Sequence, residues 1–366
     1  MKKVSVMKKV SLGRFAKGFL AAALIGFLAA APAAAQGPFD PPGLNRAIAA
    51  QEFHTDRLLL TDGVVGTGVG LTAGGRAAVV IMTESAGVLG LPRSLNGVPV
   101  LIKVTGRIYA IGHKPKHNPG GDKPGDEPAG DTLDPTSKFP WPVPIGVSTG
   151  NEGNCSAGTI GARVSDVTNV YALSNNHVYA LENTADIGDD PNDSDSDQIL
   201  QPGRFDTGCT PDSDPIGVLY DFVDLLFDGS DNTIDAAIAL SDTGRLGNAT
   251  PVDGYGAPGL TTVTDYVGQS VQKYGRTTGL TTGTVSVINA TVRVGYNSGT
   301  ARFVDQIVVD GNKGGFLKAG DSGSLLVENN ADAAPVGLLF ASGRGGKIAI
   351  ANPIDDVLTA FGVLID

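Results

Sequence analysis

Residues 145–366 alternate between short aliphatic runs and clusters of glycine, aspartate and asparagine. Runs rich in valine, isoleucine and leucine that are bounded by such turn-forming residues are typical of β-strands. Strands this short and this frequent predict a mainly β domain, either a sandwich or a pair of barrels. The runs cover residues 158–164, 170–174, 216–223, 234–240, 271–274, 283–288, 291–296, 306–309, 324–327, 336–341 and 348–350.

Residues 352–361 break this pattern and predict an amphipathic helix. Asn352 is a suitable N-cap, Pro353 suits the first helical position, and acidic residues follow in the first turn. Apolar residues recur at helical spacing, so we expect the helix to pack on the β domain through Ile354, Val357, Leu358 and Phe361.

The first 35 residues have the order of a secretory signal peptide. Basic side chains occupy residues 2–17, an apolar run covers 19–28, and small residues lead to Ala35. The apolar run is short and Pro32 follows it, which disfavours a permanent membrane span. We therefore expect cleavage after residue 35 and a secreted or periplasmic protein.

Residues 36–112 predict a small α+β domain. A helix is expected within 42–61, and it is followed by strand-like runs. The glycines of the first run do not match a dinucleotide-binding loop, because another strand follows them. We expect them to relieve crowding between paired strands. The three runs cover residues 63–71, 76–82 and 98–105.

Residues 113–144 contain few apolar side chains and many prolines, glycines and aspartates. Such a segment cannot bury enough apolar surface to order itself. We expect it to be a flexible linker that joins the α+β domain to the β domain at residues 145–366.

The chain is acidic, with a formal net charge of −11. Without residues 1–35, 21 basic side chains face 38 acidic ones. A surface of this sign repels phosphate and anionic lipid, so nucleic acid and a membrane surface are not expected partners. The acidic residues at 186–197 could collect calcium, but they lack the glycine and the final glutamate of an EF-hand loop. A solvated loop is the better interpretation.

The two cysteines, Cys155 and Cys209, predict one disulfide in an exported chain. Their spacing and neighbours do not suit zinc. We expect no metal and no organic cofactor.

Residues 318–324, Lys-Ala-Gly-Asp-Ser-Gly-Ser, predict a tight turn around one serine. The two glycines allow the backbone to approach a ligand closely. The turn would expose the hydroxyl of Ser322 and direct the N–H groups of Gly320 and Ser322 into a common space. Two such donors can stabilise an oxyanion.

A nucleophilic serine needs a base and an acid that orients it. His177 is the only histidine of residues 145–366, and it follows a strand-like run. Asp235 lies among small apolar residues, where an unpaired carboxylate is costly and a histidine N–H would satisfy it. Asp224 is the rival acid, and Asp221 is a weaker candidate.

These settings, in the order histidine, aspartate, serine, resemble the trypsin/chymotrypsin-like serine proteases. More narrowly, three further segments resemble bacterial relatives of the plant narrow-leaf protease group. The resemblance covers residues 145–366 and implies a chymotrypsin-like double β-barrel. The three segments are 201–206 (Gln-Pro-Gly-Arg-Phe-Asp), 273–279 (Lys-Tyr-Gly-Arg-Thr-Thr-Gly) and 335–341 (Pro-Val-Gly-Leu-Leu-Phe-Ala).

The resemblance also implies roles. Ser322 would attack a peptide carbonyl, His177 would accept and return the proton, and Asp235 would orient the imidazole. The N–H groups of Gly320 and Ser322 would hold the oxyanion, and Asp321 would support the loop. Cys155 and Cys209 bracket the histidine in sequence, as a family disulfide often does.

The expected substrate pocket follows from the same resemblance. Phe316 stands near the place where trypsin-like members carry a carboxylate for lysine or arginine, so basic specificity is not expected. The other pocket wall is expected at Phe340, Ala341, Ser342 and Gly343. Arg276 could bind an anion, although the glycines around it favour a hairpin turn.

The resulting hypothesis is an exported serine endopeptidase that acts on a protein or peptide through an acyl-enzyme. One alternative is a binding or scaffold protein on a protease fold, with an intact triad and blocked access. The other is a serine esterase that uses the same triad.

Overall fold

The structure, a computed structural model, describes residues 41–111, 133–188, 197–312 and 315–366. The predicted signal peptide lies outside the described residues. So do most of the predicted linker and the middle of the acidic segment 186–197.

Within residues 41–111, the N-terminal stretch that the structure describes, the chain forms one helix and five strands. Helix α1 covers Leu44–Leu59 and buries one face against the first strands, as the apolar spacing within 42–61 predicts. Strand β1 pairs antiparallel with β2, and β2 pairs parallel with β4. The strands are β1 (Val64–Leu71), β2 (Ala77–Thr83), β3 (Ser94–Leu95), β4 (Val98–Val104) and β5 (Ile108–Ala110).

The next part forms a closed barrel. Pairing runs from β6 to β7, from β8 through β9, β13 and β11 to β10, and back to β6; β7 continues through Ile160 and Gly161 into β8. The elements of this part of the chain are β6 (Ser148–Asn151), β7 (Gly158–Thr159), β8 (Ala162–Ser165), β9 (Val170–Ser174), α2 (Asn176–Tyr179), β10 (Gln198–Gln201), a 3₁₀ turn (Arg204–Thr207), β11 (Asp214–Phe222), β12 (Asp231–Asn232) and β13 (Ala237–Ser241). Strand β12 lies outside this barrel and pairs with a strand of the second one.

The C-terminal part forms a second closed barrel, in which β14 pairs with β15, then β16, β19, β18 and β17 follow, and β17 returns to β14. The elements of this part of the chain are β14 (Ser270–Gly275), β15 (Gly279–Gly295), β16 (Thr300–Gly311), β17 (Leu325–Glu328), β18 (Pro335–Gly343), a 3₁₀ turn (Arg344–Gly346), β19 (Ile348–Pro353), α3 (Ile354–Phe361) and β20 (Leu364–Ile365). Strand β20 returns to the first barrel, where it pairs with β8.

The predicted mainly β fold is confirmed: two barrels in the chymotrypsin-like arrangement carry a C-terminal helix and follow an N-terminal helix and strands. An apolar cluster joins side chains of both barrels with those of α3. Leu173 of β9 and Leu338 of β18 meet there, with Val357 of the helix. The groove between the barrels therefore rests on a shared core.

Strand β15 corrects the prediction of two strands at 283–288 and 291–296. It is one strand of 17 residues that bulges between Val287 and Val292, with Asn289 at φ 47°. Bulges and turns favour similar residue types, so a bulge within one strand has the sequence pattern of a turn between two strands. Because β15 continues, its far half accepts β1 as an antiparallel neighbour.

The glycines of β1 allow this close pairing. A Cβ atom at Gly68 would lie 2.4 Å from Val287, and one at Gly66 would lie 2.7 Å from the carbonyl oxygen of Thr291. The predicted role of these glycines in relieving crowding between strands is confirmed. The N-terminal strands and the second barrel consequently share one sheet.

Two local features differ from the sequence prediction. Asn352 does not cap α3: Pro353 occupies the N-cap position, and the amide of Asn352 faces the core, where it donates a 2.7 Å hydrogen bond to Gln306. Residues 133–144, assigned to the linker by composition, pack on the first barrel, because Phe139 and the buried Val143 anchor them.

Candidate active site

Three loops meet between the barrels. His177 lies in α2, directly after β9, and Asp235 precedes β13, which pairs with β9. Ser322 lies in the loop between β16 and β17 of the second barrel. The pairing of β9 with β13 brings the histidine and the aspartate together, and the contact between the barrels adds the serine.

The three side chains form a continuous hydrogen-bonded array. Nδ1 of His177 lies 2.5 Å from Oδ2 of Asp235, and Nε2 of His177 lies 2.7 Å from Oγ of Ser322. Asp235 and Ser322 are fully buried. With the Nδ1 proton directed at the carboxylate, Nε2 is free to accept the serine proton, which is the arrangement that general-base activation requires.

Asp235 is held from several sides. The backbone N–H of His177 donates to Oδ1 at 3.2 Å, and the hydroxyl of Tyr296 donates to Oδ2 at 2.8 Å. The backbone N–H of Asp235 donates to Asn352 at 3.1 Å, and its carbonyl accepts from Asn175 at 2.7 Å. The carboxylate is thus buried with its hydrogen bonds made, as its cost in an apolar setting requires.

Tyr296 and Asn352 are site residues that the sequence analysis did not identify. Burial, together with the charge of Asp235, holds the pKa of Tyr296 well above its usual value, so this hydroxyl remains a donor. The sequence feature that could have identified Tyr296 is its position at the end of an apolar run, because its side chain is aromatic and ends in a polar hydroxyl. Asn352 gave no such signal, because its position favoured a helix cap.

The rival acids lie elsewhere. Asp224 and Asp221 are exposed, and Oδ1 of Asp221 accepts a 2.8 Å hydrogen bond from the backbone of Phe222. Of the three candidate acids, Asp235 is therefore the one that contacts His177.

Asp321 fixes the serine loop to the hairpin of β14 and β15. Its Oδ1 accepts from the backbone N–H groups of Thr277 and Thr278 at 2.8 and 3.1 Å. Its Oδ2 accepts from the N–H of Lys318 at 2.7 Å and from the hydroxyl of Thr278 at 2.8 Å. The carboxylate is buried and saturated, which fits loop support.

The two glycines of the loop have conformations that other residues rarely adopt. Gly320 has φ 98° and Gly323 has φ 89°. A Cβ atom at Gly323 would lie 2.2 Å from Oγ of Ser174. The chain can therefore make this turn only with glycine at these positions.

Arg276 joins two of the segments on which the family resemblance rests. Its guanidinium contacts both carboxylate oxygens of Asp206, with Nε 2.8 Å from Oδ2. Both side chains are largely buried. The glycines do form the predicted hairpin, with Gly275 opposite Gly279, and the arginine serves an internal ion pair rather than an external anion.

The predicted pocket residues flank β5. Ala341 and Ser342 pair with this strand, and Phe316 packs in the same apolar cluster as Ile111, which follows it. The ring of Phe340 instead packs on Phe303, with centroids 4.7 Å apart, so Phe340 faces Ile111 with its backbone.

The predicted disulfide is present. Cys155 and Cys209 are bonded, with Cα atoms 5.3 Å apart. The bond ties the loop after β6 to the end of the 3₁₀ turn at Arg204–Thr207, which precedes β11.

The fold and this groove define a chain of the trypsin/chymotrypsin-like architecture. The model of the Nal1 C-terminal domain matches residues 223–354. No curated protein matches the chain. Among the residues that the structure describes, no helix is both long and apolar enough to cross a membrane.

Several solved proteases resemble the chain in fold. A glutamic acid-specific serine protease, described as using a histidine triad in substrate binding, is 20% identical; the match covers 61% of this chain and 100% of that chain, with a TM-score of 0.42. Thermobifida fusca protease A is 19% identical; the match covers 61% of this chain and 97% of that chain, with a TM-score of 0.41. Cellulomonas bogoriensis chymotrypsin is 20% identical; the match covers 61% of this chain and 98% of that chain, with a TM-score of 0.39.

Proposed function

We propose that this protein is an exported serine endopeptidase. The observation that carries the proposal is the array from Asp235 through His177 to Ser322, with distances of 2.5 and 2.7 Å. In it Ser322 is the nucleophile, His177 the general base and acid, and Asp235 the residue that orients the imidazole and stabilises its charged form. The substrate class is a protein or peptide.

The loop supplies the second requirement of acyl transfer. We assign the backbone N–H groups of Gly320 and Ser322 as the donors that hold the tetrahedral oxyanion. Each such donor contributes about 3–4 kcal/mol to stabilising the transition state. Asp321 has a positioning role, since its hydrogen bonds to Thr277 and Thr278 fix the turn that carries both donors.

Export is supported by the order of residues 1–35 and by the disulfide between Cys155 and Cys209, which suits an oxidising compartment. The narrower kinship with bacterial relatives of the plant narrow-leaf protease group is part of the proposal. It is supported by the segments 201–206 and 273–279, which meet through Asp206 and Arg276.

A fluorophosphonate probe tests the nucleophile. We expect covalent labelling of wild type at Ser322 and none of Ser322→Ala, with Ser324→Ala as the matched control in the same loop. Absence of labelling in correctly folded protein, both in wild type and in a variant whose strand β5 is displaced from the groove, would refute the proposal; circular dichroism establishes the folding. Turnover of peptide amides against simple esters then separates an endopeptidase from a serine esterase.

A silent binding protein is the second candidate, and one observation favours it: β5 occupies the groove beside the triad. A silent protein would stay unlabelled and would hydrolyse neither peptide nor ester after the occupying strand is displaced by mutation.

A further inference from the structure

Glu182, which follows α2 in the first barrel, contacts the turn that joins β15 to β16 in the second. Its Oε1 accepts hydrogen bonds from the backbone N–H of Asn297 at 3.1 Å and from the side-chain amide of the same residue at 3.2 Å. Its Oε2 accepts from the backbone N–H of Ser298 at 2.7 Å. One carboxylate thus holds two consecutive backbone donors of a turn that lies 115 residues further along the chain.

This turn begins with Tyr296, whose hydroxyl donates to the triad. The backbone N–H of Tyr296 donates to the carbonyl of Gly299 at 2.7 Å, which closes the turn at residues 296–299. The hydroxyl of the same tyrosine donates to Oδ2 of Asp235 at 2.8 Å. A change in the position of this turn therefore moves a donor of the carboxylate that contacts His177.

The backbone that carries Glu182 has a conformation that residues other than glycine rarely adopt. Leu181, Glu182 and Asn183 follow one another with φ angles of 50°, 58° and 72°, all in the left-handed region. Each such residue costs free energy, and three in succession persist only where the surrounding contacts hold them. Strain of this kind beside a reactive site supports a functional hypothesis for the segment that carries it.

The side chain of Asn183 holds the strained segment. Its Oδ1 accepts from the side-chain amide of Asn176 at 2.8 Å and from the backbone N–H of Leu225 at 2.9 Å, and its Nδ2 donates to the carbonyl of Leu225 at 2.9 Å. Asn176 is buried and directly precedes His177 in α2. The segment that carries Glu182 is therefore anchored to the helix that carries the imidazole.

The contact between Glu182 and Asn297 borders the groove. Both residues line a cavity of about 40 Å³ together with His177. Glu182 itself is partly exposed, so its replacement does not open the apolar core.

We propose that Glu182 is a positioning residue of the triad and that it acts through Tyr296. The carboxylate fixes the turn at residues 296–299, the turn places the tyrosine hydroxyl on Asp235, and Asp235 orients His177. The inference rests on the proposed function. The competing interpretation is a turn cap that stabilises the hairpin of β15 and β16 without any effect on the triad.

A double-mutant cycle of Glu182→Ala and Tyr296→Phe tests this order of action. The measurement is the limiting rate at which a small fluorophosphonate labels Ser322, together with the affinity for the probe. Alanine is chosen because glycine would relieve the left-handed strain. All variants share one background, which is wild type or, if wild type is not labelled, the chain with β5 displaced.

We expect Glu182→Ala to lower the limiting rate about 5-fold, a loss within the range of coupling between residues of one hydrogen-bonded network, and to leave the probe affinity unchanged. In the presence of Tyr296→Phe, the same substitution should have almost no further effect, because the hydroxyl through which it acts is gone. Losses that simply multiply would overturn the inference.

Asp166→Ala is the matched control. Asp166 also accepts from two backbone N–H groups of a turn, at 2.6 and 2.7 Å, and from a tyrosine hydroxyl at 2.9 Å. Its turn joins β8 to β9, at the opposite end of β9 from His177. This variant should lose stability and keep the wild-type labelling rate. Glu182→Gln, which retains one acceptor oxygen, should keep more of the rate than Glu182→Ala.

A second readout needs no reaction. In a chain with isotope-labelled histidine, the chemical shift of the Nδ1 proton of His177 reports its hydrogen bond to Asp235. We expect Glu182→Ala and Tyr296→Phe to move this resonance in the same direction, and Asp166→Ala to leave it in place. A turn cap without effect on the triad would move it in neither Glu182→Ala nor Asp166→Ala.

The two readouts separate the inference from the proposed function. If Glu182→Ala is labelled at the wild-type rate and its resonance is unmoved, the inference fails and the proposed function stands. If no variant is labelled in either background, the proposed function fails and the resonance decides the positioning role: a shift in Glu182→Ala supports it, and an unmoved resonance overturns it.

Discussion

The hydroxyl of Tyr296 and the imidazole of His177 share one acceptor: Oδ2 of Asp235 lies 2.8 Å from the first and 2.5 Å from the second. The tyrosine ring also packs edge-on against the imidazole, with centroids 5.9 Å apart. One residue of the second barrel thus contacts both Asp235 and His177, which belong to the first.

Replacing Tyr296 with phenylalanine should lower kcat about 10-fold and leave KM nearly unchanged. The ring contact is kept, but the buried carboxylate loses a donor worth about 1.5–3 kcal/mol. Steady-state peptide hydrolysis measures the effect. Tyr220→Phe, whose ring packs on Tyr171 away from the triad, is the control and should match wild type. A change confined to KM would contradict the positioning role.

Asp235→Asn should retain the fold and reduce kcat by a factor on the order of 10⁴, because the amide favours the wrong imidazole tautomer. Asp224→Asn, at the exposed rival position, should be close to wild type. Circular dichroism and peptide hydrolysis on the same preparations give the comparison. The assignment of the acid is wrong if the two variants exchange these results.

The buried ion pair of Arg276 and Asp206 should contribute strongly to the free energy of unfolding. Arg276→Gln leaves a buried carboxylate without its partner and should lower the free energy of unfolding by about 3–5 kcal/mol. Urea unfolding measures it. Arg107→Gln, which breaks an exposed pair with Glu84, should leave the free energy of unfolding nearly unchanged.

In the double variant of Asp206→Asn and Arg276→Gln, the loss should be smaller than the sum of the two single losses, because both charges are removed together. Strictly additive losses would show that the two side chains do not stabilise the fold as a pair.

Lys273 should make stability rise with pH. Burial lowers the pKa of Lys273 to about 8, whereas the unfolded chain has the usual value of about 10.4. Between these values the unfolded state binds more protons, so the free energy of unfolding increases with pH. The gain reaches roughly 3 kcal/mol at about 1.36 kcal/mol per pKa unit.

Lys273→Met is the comparison for this prediction. The variant should lack this rise. From pH 8 to pH 10.5, the free energy of unfolding of wild type should therefore increase relative to that of the variant. Thermal or urea unfolding at several pH values provides the curves. Parallel curves over this interval would contradict the buried, destabilised ammonium.

The sequence was sufficient to predict features that depend on a local residue pattern, or on a residue type that occurs only once or twice. His177 is the only histidine of residues 145–366, and Asp235 lies among apolar residues that require a partner for it. Short aliphatic runs predicted most of the strands. Two cysteines allowed only one intramolecular pair. These inferences need no knowledge of which strands become neighbours.

Contacts between segments that lie far apart in the chain could not be predicted from the sequence. Strand β5 has three residues, and its partners in β15 and β18 lie more than 180 residues away along the chain. No local periodicity identifies so short a strand. The pair of Asp206 and Arg276 joins two barrels, and Asn352 serves Asp235 only because β19 ends beside it.

Thr159 connects the barrels at the serine loop. Its hydroxyl accepts from the N–H of Arg276 at 3.1 Å and donates to the carbonyl of Gly320 at 2.8 Å. The loop geometry of one barrel is therefore completed by a residue of the other. The turn at Gly320 is complete only when both barrels have docked, so under the proposed function a partly folded chain would lack a competent nucleophile.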